Sequence, residues 1–469
     1  MDAMTAIEPL ATDELQDLAH RHLLMHFARN GAFGPGGNRL LVLERGEGPY
    51  VFDSDGKRYL DGLSSLFCCQ IGYSFGEEMA AVAGEQLSTL AFNTNWGTAH
   101  PPAIRLAAAL AERAPGDLNR VFFTSGGSES VEAAWKIVRQ HYLAKGEPQR
   151  TKAIARETAY HGVTLGALSF TGVRPMKEPF GASPIPVVRV SNTNPFRHEL
   201  ADDPAAHCAQ LLQEMERAIV DAGPETVAMI IAEPVQNAAG CLVPMDGYWA
   251  GLRELADRYG IALVADEVIT GFGRIGEWFA ASRFGPAPDV ITVAKGLTSA
   301  YAPMGAVVIS DRIAEPLYDE GRMLLHGITF GGHPLAAAIA LRNIEIFERE
   351  GVLENVREHE GYIRERLEAL RERLPIVGDV RGAGYFWALE LVRDEGNARF
   401  SAEERERLLR GFLAGRLLEE GLIARPDDRG DAVLHLAPPL ICGRREIDEM
   451  VEKTEAVLAD ASERFFVGT

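Results

Sequence analysis

Cysteine is scarce in this chain and is not used in any pattern. The five cysteines, Cys68, Cys69, Cys208, Cys241 and Cys442, are odd in number and scattered, and they lack metal-ligand spacing. The adjacent Cys68 and Cys69 make a poor disulfide, so a reducing compartment is expected. Positive charge is also in deficit. With 47 Lys+Arg against 67 Asp+Glu, the formal net charge of −20 repels phosphate backbones and anionic lipid, and no Lys/Arg-rich block offsets it. Nucleic acid is therefore not expected as a partner. No 18 apolar residues run together, and the N-terminus, MDAMTAIEPLATDELQDLAH, has acids where a signal peptide has a basic region and an apolar core. A soluble cytoplasmic protein with no membrane partner is expected. Internal repeats, low-complexity tracts and Pro/Ser-rich linkers are absent too.

What the chain does have is ordinary globular composition, 46 % hydrophobic and 24 % charged, over 469 residues. That length suffices for one large core and a smaller second one. From about residue 100 to 335, short β-rich runs (RVFFTS, KAIARE, VAMIIAEP, IALVADEV, DVITVAK, GAVVIS) alternate with helical patterns such as SVEAAWKIVRQHYLA and GYWAGLRELADRYG. Such alternation predicts an α/β fold with a mostly parallel sheet covered by helices on both faces. Before it, YVFDSDGKRYLDGLSS reads as a hairpin turning at Asp-Gly. After it, residues 334–374 read as one long amphipathic helical region, followed by the strand-like GYFWALELV and VLHLAPPL. The expected division is 1–65 and 336–469 in a smaller α+β domain built from both termini, with 66–335 as the large domain.

Lys295 ends the apolar run DVITVAK, where a lysine needs a reason if it does not simply reach solvent. Asp266 ends IALVAD, and Lys295 is read as ending the second strand after it. Open α/β sheets bind ligands at such strand ends. Taken alone, Asp266 could be a helix cap or a loop acid, and the two residues could form a plain ion pair. In TSGGSESVEAAWKIV, small residues follow a strand and open a helix. The N–H groups of Gly126, Gly127 and Ser128, with the Ser128 hydroxyl, could cup a phosphate or merely cap the helix. Tyr160-His161-Gly162 follows KAIARE, so that Tyr160 can stack on a flat ring or simply pack. The glycines of GFGRIG (Gly271, Gly273, Gly276) match a dinucleotide fingerprint, but no clear βαβ unit opens there. A phosphate cup, a stacking aromatic, an acid and an amine on one sheet edge suit pyridoxal 5'-phosphate. Its aldehyde needs an amine, and its ring nitrogen needs an acid.

The ordered set SGGSE, YHG, AEPVQ, VADEVITGFGRIG, PDVITVAKGLTSAYAPMGAV and HGITFGGHP resembles the class III aminotransferases, fold-type I pyridoxal-phosphate enzymes. The resemblance implies that Lys295 is the Schiff-base lysine and Asp266 the partner of the ring nitrogen. Tyr160 and Val268 would sandwich the ring, with His161 beside it and Gly127-Ser128 on the phosphate. Thr329 would reach the phosphate of a neighbouring subunit's cofactor, which implies an obligate homodimer or a dimer of dimers. Relatives that use ornithine or γ-aminobutyrate carry a glutamate at the position of Ala238, where it holds an active-site arginine. Here that arginine corresponds to Arg425 and is expected to be free to take a keto acid's carboxylate. Ile269 stands where those relatives have glutamine, as in the amine:pyruvate and β-alanine:pyruvate subgroup. Phe67 stands where tryptophan is common. Phe27, Phe67, Trp96 and Tyr160 would line an aromatic pocket. The implied activity is ω-amino transfer by a ping-pong route from an amine donor to a keto acid, pyruvate first. Aminomutase, decarboxylase or racemase chemistry on the same cofactor is the alternative.

Overall fold

The computed structural model describes residues 10–34, 37–319 and 321–468. The hairpin is formed by β2 (Tyr50–Asp53) and β3 (Arg58–Asp61), with β1 (Leu43–Glu47) beside β2. Its turn closes where the Gly56 N–H donates to the Asp53 carbonyl (2.9 Å) and Gly56 takes φ +83°, a conformation glycine adopts freely.

Seven strands form the large sheet: β4 (Leu118–Thr124), β5 (Lys152–Arg156), β6 (Val187–Val190), β7 (Val227–Ala232), β8 (Ala262–Asp266), β9 (Val290–Val293) and β10 (Gly305–Ser310). Their order is β4-β10-β9-β8-β7-β5-β6, and only β10 runs against the others. The strands are apolar on both faces because helices cover both. Ile230, Leu263, Ala265 and Ile291 join one core, while Met229, Ile231, Val264 and Val290 join another.

β9 pairs directly with β8, placing Asp266 opposite Thr292. Lys295 thus follows the very next strand after Asp266, not the second one. The intervening segment has no strand to offer, because its glycine-rich part turns repeatedly, with Gly273 and Gly276 both at φ +83°. These glycines receive the smaller domain instead of a nucleotide. A side chain at Gly273 would meet Leu440 at 2.9 Å and Phe347 at 3.0 Å. Between them, buried Arg274 donates to the carbonyls of Tyr385 and Pro438 and to Ser64 Oγ.

The C-terminal part contributes β11 (Val377–Ala383), β12 (Phe386–Leu391), β13 (Leu422–Ile423), β14 (Arg425–Asp427) and β15 (Val433–Leu436). β11-β12-β15-β14 form an antiparallel sheet, whereas β13 joins the N-terminal sheet in parallel beside β3, with Leu422 opposite Leu60. The two ends of the chain therefore share a sheet, and the smaller α+β part comes from both termini. The expected long helix is two, Pro334–Arg349 and Val352–Arg373. Gly351 at φ +60° breaks them, since a left-handed residue cannot continue a right-handed helix.

Candidate active site

The C-terminal ends of the parallel strands open into a cavity of about 1140 Å³. Its floor includes Asp266, Lys295, Gly127, Ser128, Tyr160, His161 and Val268. Asp266 is 5 % exposed and sits in a prepared socket. Its Oδ1 accepts from the Val268 N–H (3.2 Å) and the Thr292 hydroxyl (3.1 Å), and His161 Nδ1 lies 2.7 Å from Oδ2. The neighbouring strand thus supplies the hydroxyl that fixes the carboxylate. His161 Nε2 is buried and finds no partner among the described residues.

Lys295 follows β9 with its backbone at φ +40°, a left-handed strain for a non-glycine residue. Its Nζ stands 5.8 Å from the centre of the Phe67 ring. Burial, assisted by the Arg425 guanidinium, pushes its pKa below the usual lysine range, against the opposing pull of Cys68 and Asp266. That favours the neutral, nucleophilic amine.

The helix Gly127–Ala144 starts from extended Gly126 and directs its first N–H groups at the cavity. Buried Ser130 anchors this start, reaching Thr124 Oγ1 (2.7 Å) and the Val293 carbonyl (3.0 Å), so the cup is tied to the strand that carries Lys295. There is no room for larger residues. A Cβ on Gly127 would lie 2.8 Å from Val268 Cγ1, and one on Gly162 would lie 2.5 Å from Ser128 Oγ. Ser128 Oγ accepts from the Val163 N–H (3.1 Å). The Tyr160 N–H donates to Glu233 Oε1 (3.1 Å), which fixes the start of the YHG turn.

On the wall, Phe67 is buried at φ +61° and meets Phe386 edge-on at 5.5 Å. Buried Asp61 pins this strained turn by accepting from the N–H groups of Leu63 and Ser65 and from the Tyr73 hydroxyl. Phe27, Ile269 and Arg425 line the same cavity. Ala238 is buried outside the lining, Trp96 is 63 % exposed on the outer surface, and Thr329 is exposed there too. Within one chain, those three do not join the cavity.

Sequence reasoning overlooked the acid beside Arg425. Asp427, two residues on, is 3.5 Å from Arg425 Nε and also holds Arg429, whose guanidinium stands 5.3 Å over the Tyr160 ring. Arg425 thus has an acidic neighbour despite the alanine at 238. The signal lay in RPDDRG, which reads as a solvated charge run until the β14–β15 pairing folds it inward.

The family model of class-III aminotransferases matches residues 33–458. A probable aminotransferase of Mycobacterium tuberculosis is 48 % identical over 98 % of this chain and 97 % of its own length. A putrescine–pyruvate aminotransferase of Pseudomonas aeruginosa is 39 % identical over 94 % of each. Among solved structures, a thermostable (S)-enantioselective omega-transaminase from Thermomicrobium roseum superposes with a TM-score of 0.92 at 42 % identity, covering 97 % of this chain and 99 % of that one. With its strand-end acid and lysine beside a glycine-opened helix, the chain belongs to the class III aminotransferases and is a pyridoxal-phosphate-dependent transaminase.

Proposed function

We propose that this enzyme is an ω-aminotransferase that moves an amino group from a primary or ω-amine to a keto acid, pyruvate first, in a ping-pong cycle. The observation that carries this reading is the convergence of Asp266, fixed by His161 and Thr292, with Lys295 on adjacent strand ends beneath a cavity of about 1140 Å³. The residues fit pyridoxal 5'-phosphate. The cradle at Gly127 and Gly162 admits no side chain, and among the described residues the N–H groups at the helix start have no side-chain cap and the His161 Nε2 has no partner.

When bound, the cofactor supplies a carbonyl that condenses with amines and a protonated ring that draws electrons from the reacting carbon. The chain does the rest. Gly126, Gly127 and Ser128 would hold the phosphate. Tyr160 and Val268 would flank the ring, and Asp266 would keep a proton at its nitrogen. Lys295 Nζ would supply the amine that retains the cofactor and would serve as the base for the donor carbon's proton. Phe27, Phe67 and Tyr160 offer an apolar wall to the donor, and Arg425 reads the acceptor's carboxylate through its guanidinium fork. The names of the putrescine–pyruvate relative and of the omega-transaminase neighbour agree with an amine donor, and the former with pyruvate as acceptor.

Thr329 reaches a second chain's phosphate in this reading, which requires a homodimer. The surface around Thr329 supports this: Phe330 is 60 % exposed, and Met323, Leu325 and Trp96 are exposed as well. No helix among the described residues is long and apolar enough to cross a membrane.

The test is a panel of primary amines and ω-amino acids with pyruvate, each run with and without the keto acid. Consumption of amine that depends on pyruvate, with alanine as product, is expected. Turnover without any keto acid assigns mutase, decarboxylase or racemase chemistry and overturns the proposal.

A further inference from the structure

Two guanidinium groups share one buried carboxylate on the cavity wall, and they share it unequally. Arg429 Nε lies 3.0 and 2.9 Å from the two Asp427 oxygens, with Nη2 2.5 Å from Oδ2. Arg425 has a single contact, Nε at 3.5 Å, too long for a hydrogen bond. The Arg429 side chain is 10 % exposed and that of Arg425 30 %. Asp427 itself is fixed. It lies in β14 and its Oδ1 accepts from the Arg429 N–H (2.9 Å), while Arg429 is tied through its carbonyl to the Ala239 N–H (2.9 Å). His435 Nε2 stands 3.4 Å from Asp427 Oδ2, with Nδ1 3.6 Å from Cys241 Sγ. Burial keeps this imidazole below its ordinary pKa, despite the pull of Asp427, so it offers the carboxylate no competing full charge.

We propose that Arg429 is a positioning residue: by occupying both oxygens of Asp427 it keeps the guanidinium fork of Arg425 free for the keto acid's carboxylate. This rests on Arg425 reading the acceptor. A buried carboxylate stripped of its bidentate partner draws in the nearest cation, and after Arg429 that cation is Arg425. A local acid thus stands beside Arg425, and a second arginine, four residues beyond it, satisfies that acid.

The experiment measures pyruvate kinetics for the cofactor-loaded Arg429→Ala, Asp427→Asn/Arg429→Ala and Arg425→Ala enzymes, at low salt and at 0.5 M salt. Arg429→Ala should raise the KM for pyruvate roughly ten- to thirtyfold, the worth of one charge-assisted contact, with kcat within about threefold of wild type. The double variant should return most of the way, because the capturing acid is gone. The rise should persist at high salt, where a long-range field effect fades. An aldehyde acceptor without a carboxylate should show no such rise. An unchanged KM in Arg429→Ala, a rise that the double variant does not reverse, or a rise abolished by salt each overturns the proposal. If Asn at 427 does not fold, Asp427→Ala in the same background is read instead, and the Arg429→Ala result stands on its own. Arg425→Ala separates the two levels. If it leaves the pyruvate KM unchanged, the reading of Arg425 fails, whereas a rise there with none in Arg429→Ala removes only the role of Arg429.

Discussion

On the cavity floor, Asp266 ends one strand and Lys295 follows its paired neighbour, and the contacts that fix the acid come from that sheet or from turns at its edge. On the wall, Arg425 opens the short strand β14 and Arg429 lies just beyond it, and what fixes them is one shared carboxylate, a strand pairing and a loop near residue 239. The floor is built from regular structure, so its geometry follows once the sheet forms. The wall is built from side-chain contacts within one short segment, in which each group's freedom depends on what its neighbour has taken. A reaction that uses one cofactor position for two unlike substrates needs both kinds: a rigid place for the chemistry and an adjustable one for recognition.

The largest effect is expected on the floor. Lys295→Ala should reduce turnover by more than about 10⁴-fold, because it removes both the covalent anchor and the general base, and a positioned base alone contributes about 10²–10⁴-fold. Melting temperature should change little. Steady-state rates and the absorbance of the bound cofactor check this, and a variant that retains a substantial fraction of the wild-type rate sinks the assignment.

Asp266→Asn should come next, slowing proton abstraction by several orders of magnitude while cofactor still binds through the phosphate cup and Lys295. Stopped-flow measurement of the amine half-reaction is the check. A rate within tenfold of wild type would make Asp266 an ordinary structural acid, held by His161 and Thr292 for the sake of the fold.

Arg425→Ala tests the wall. It should raise the apparent KM for pyruvate by roughly ten- to a hundredfold, since a charge-assisted contact contributes about 1.5–3 kcal/mol and each 1.4 kcal/mol is a factor of ten. The half-reaction with a carboxylate-free amine such as 1-phenylethylamine should stay close to wild type. Equal slowing of both half-reactions would mean that Arg425 supports the fold, and the contrast between floor and wall would lose its functional meaning.

The two regions also differ in how far they were legible in the sequence. IALVAD and DVITVAK announce buried strands by their composition, and a polar residue at the end of each stands out against it. The glycine-opened helix and the YHG turn are local signals of the same kind. RPDDRG sets Asp427 between two arginines, but its composition is that of a solvated loop, so nothing local marks the segment as turned inward. Its inward position is decided by the pairing of Asp427 with Val433 in β15 and by the Ala239 N–H on the Arg429 carbonyl, the latter far away in sequence. The Gly351 break was similarly hidden, since a lone glycine inside a helical pattern is compatible with a continuous helix. Thr329 and Trp96 lie exposed outside the cavity of the single chain, so their reading rests on the sequence motif alone.

The smallest expected effect concerns the cost of building the floor. Glu267, next to Asp266, is 1 % exposed and accepts from the Ala280 and Ala281 N–H groups and from Thr270. Burial raises its pKa from 4.5 to about 7, against those hydrogen bonds. In the unfolded chain it loses its proton near the ordinary value, so between those two limits the folded state binds more protons than the unfolded state. The stabilisation this gives is complete below about pH 4.5 and is lost as pH rises through 7. Between pH 8 and pH 5.5 the group should therefore add about 2 kcal/mol on acidification, taking about 1.4 kcal/mol for each unit over which the two states differ. Other carboxylates titrate over the same range, so the quantity to measure is a difference. Glu267→Gln has no proton to gain, and its apparent Tm should rise less on acidification than wild type does, by a few degrees. Identical pH slopes for the two proteins would show that Glu267 is charged in the fold throughout this range. In that case the N–H groups of Ala280 and Ala281 outweigh burial, and Glu267 stays ionised in the fold.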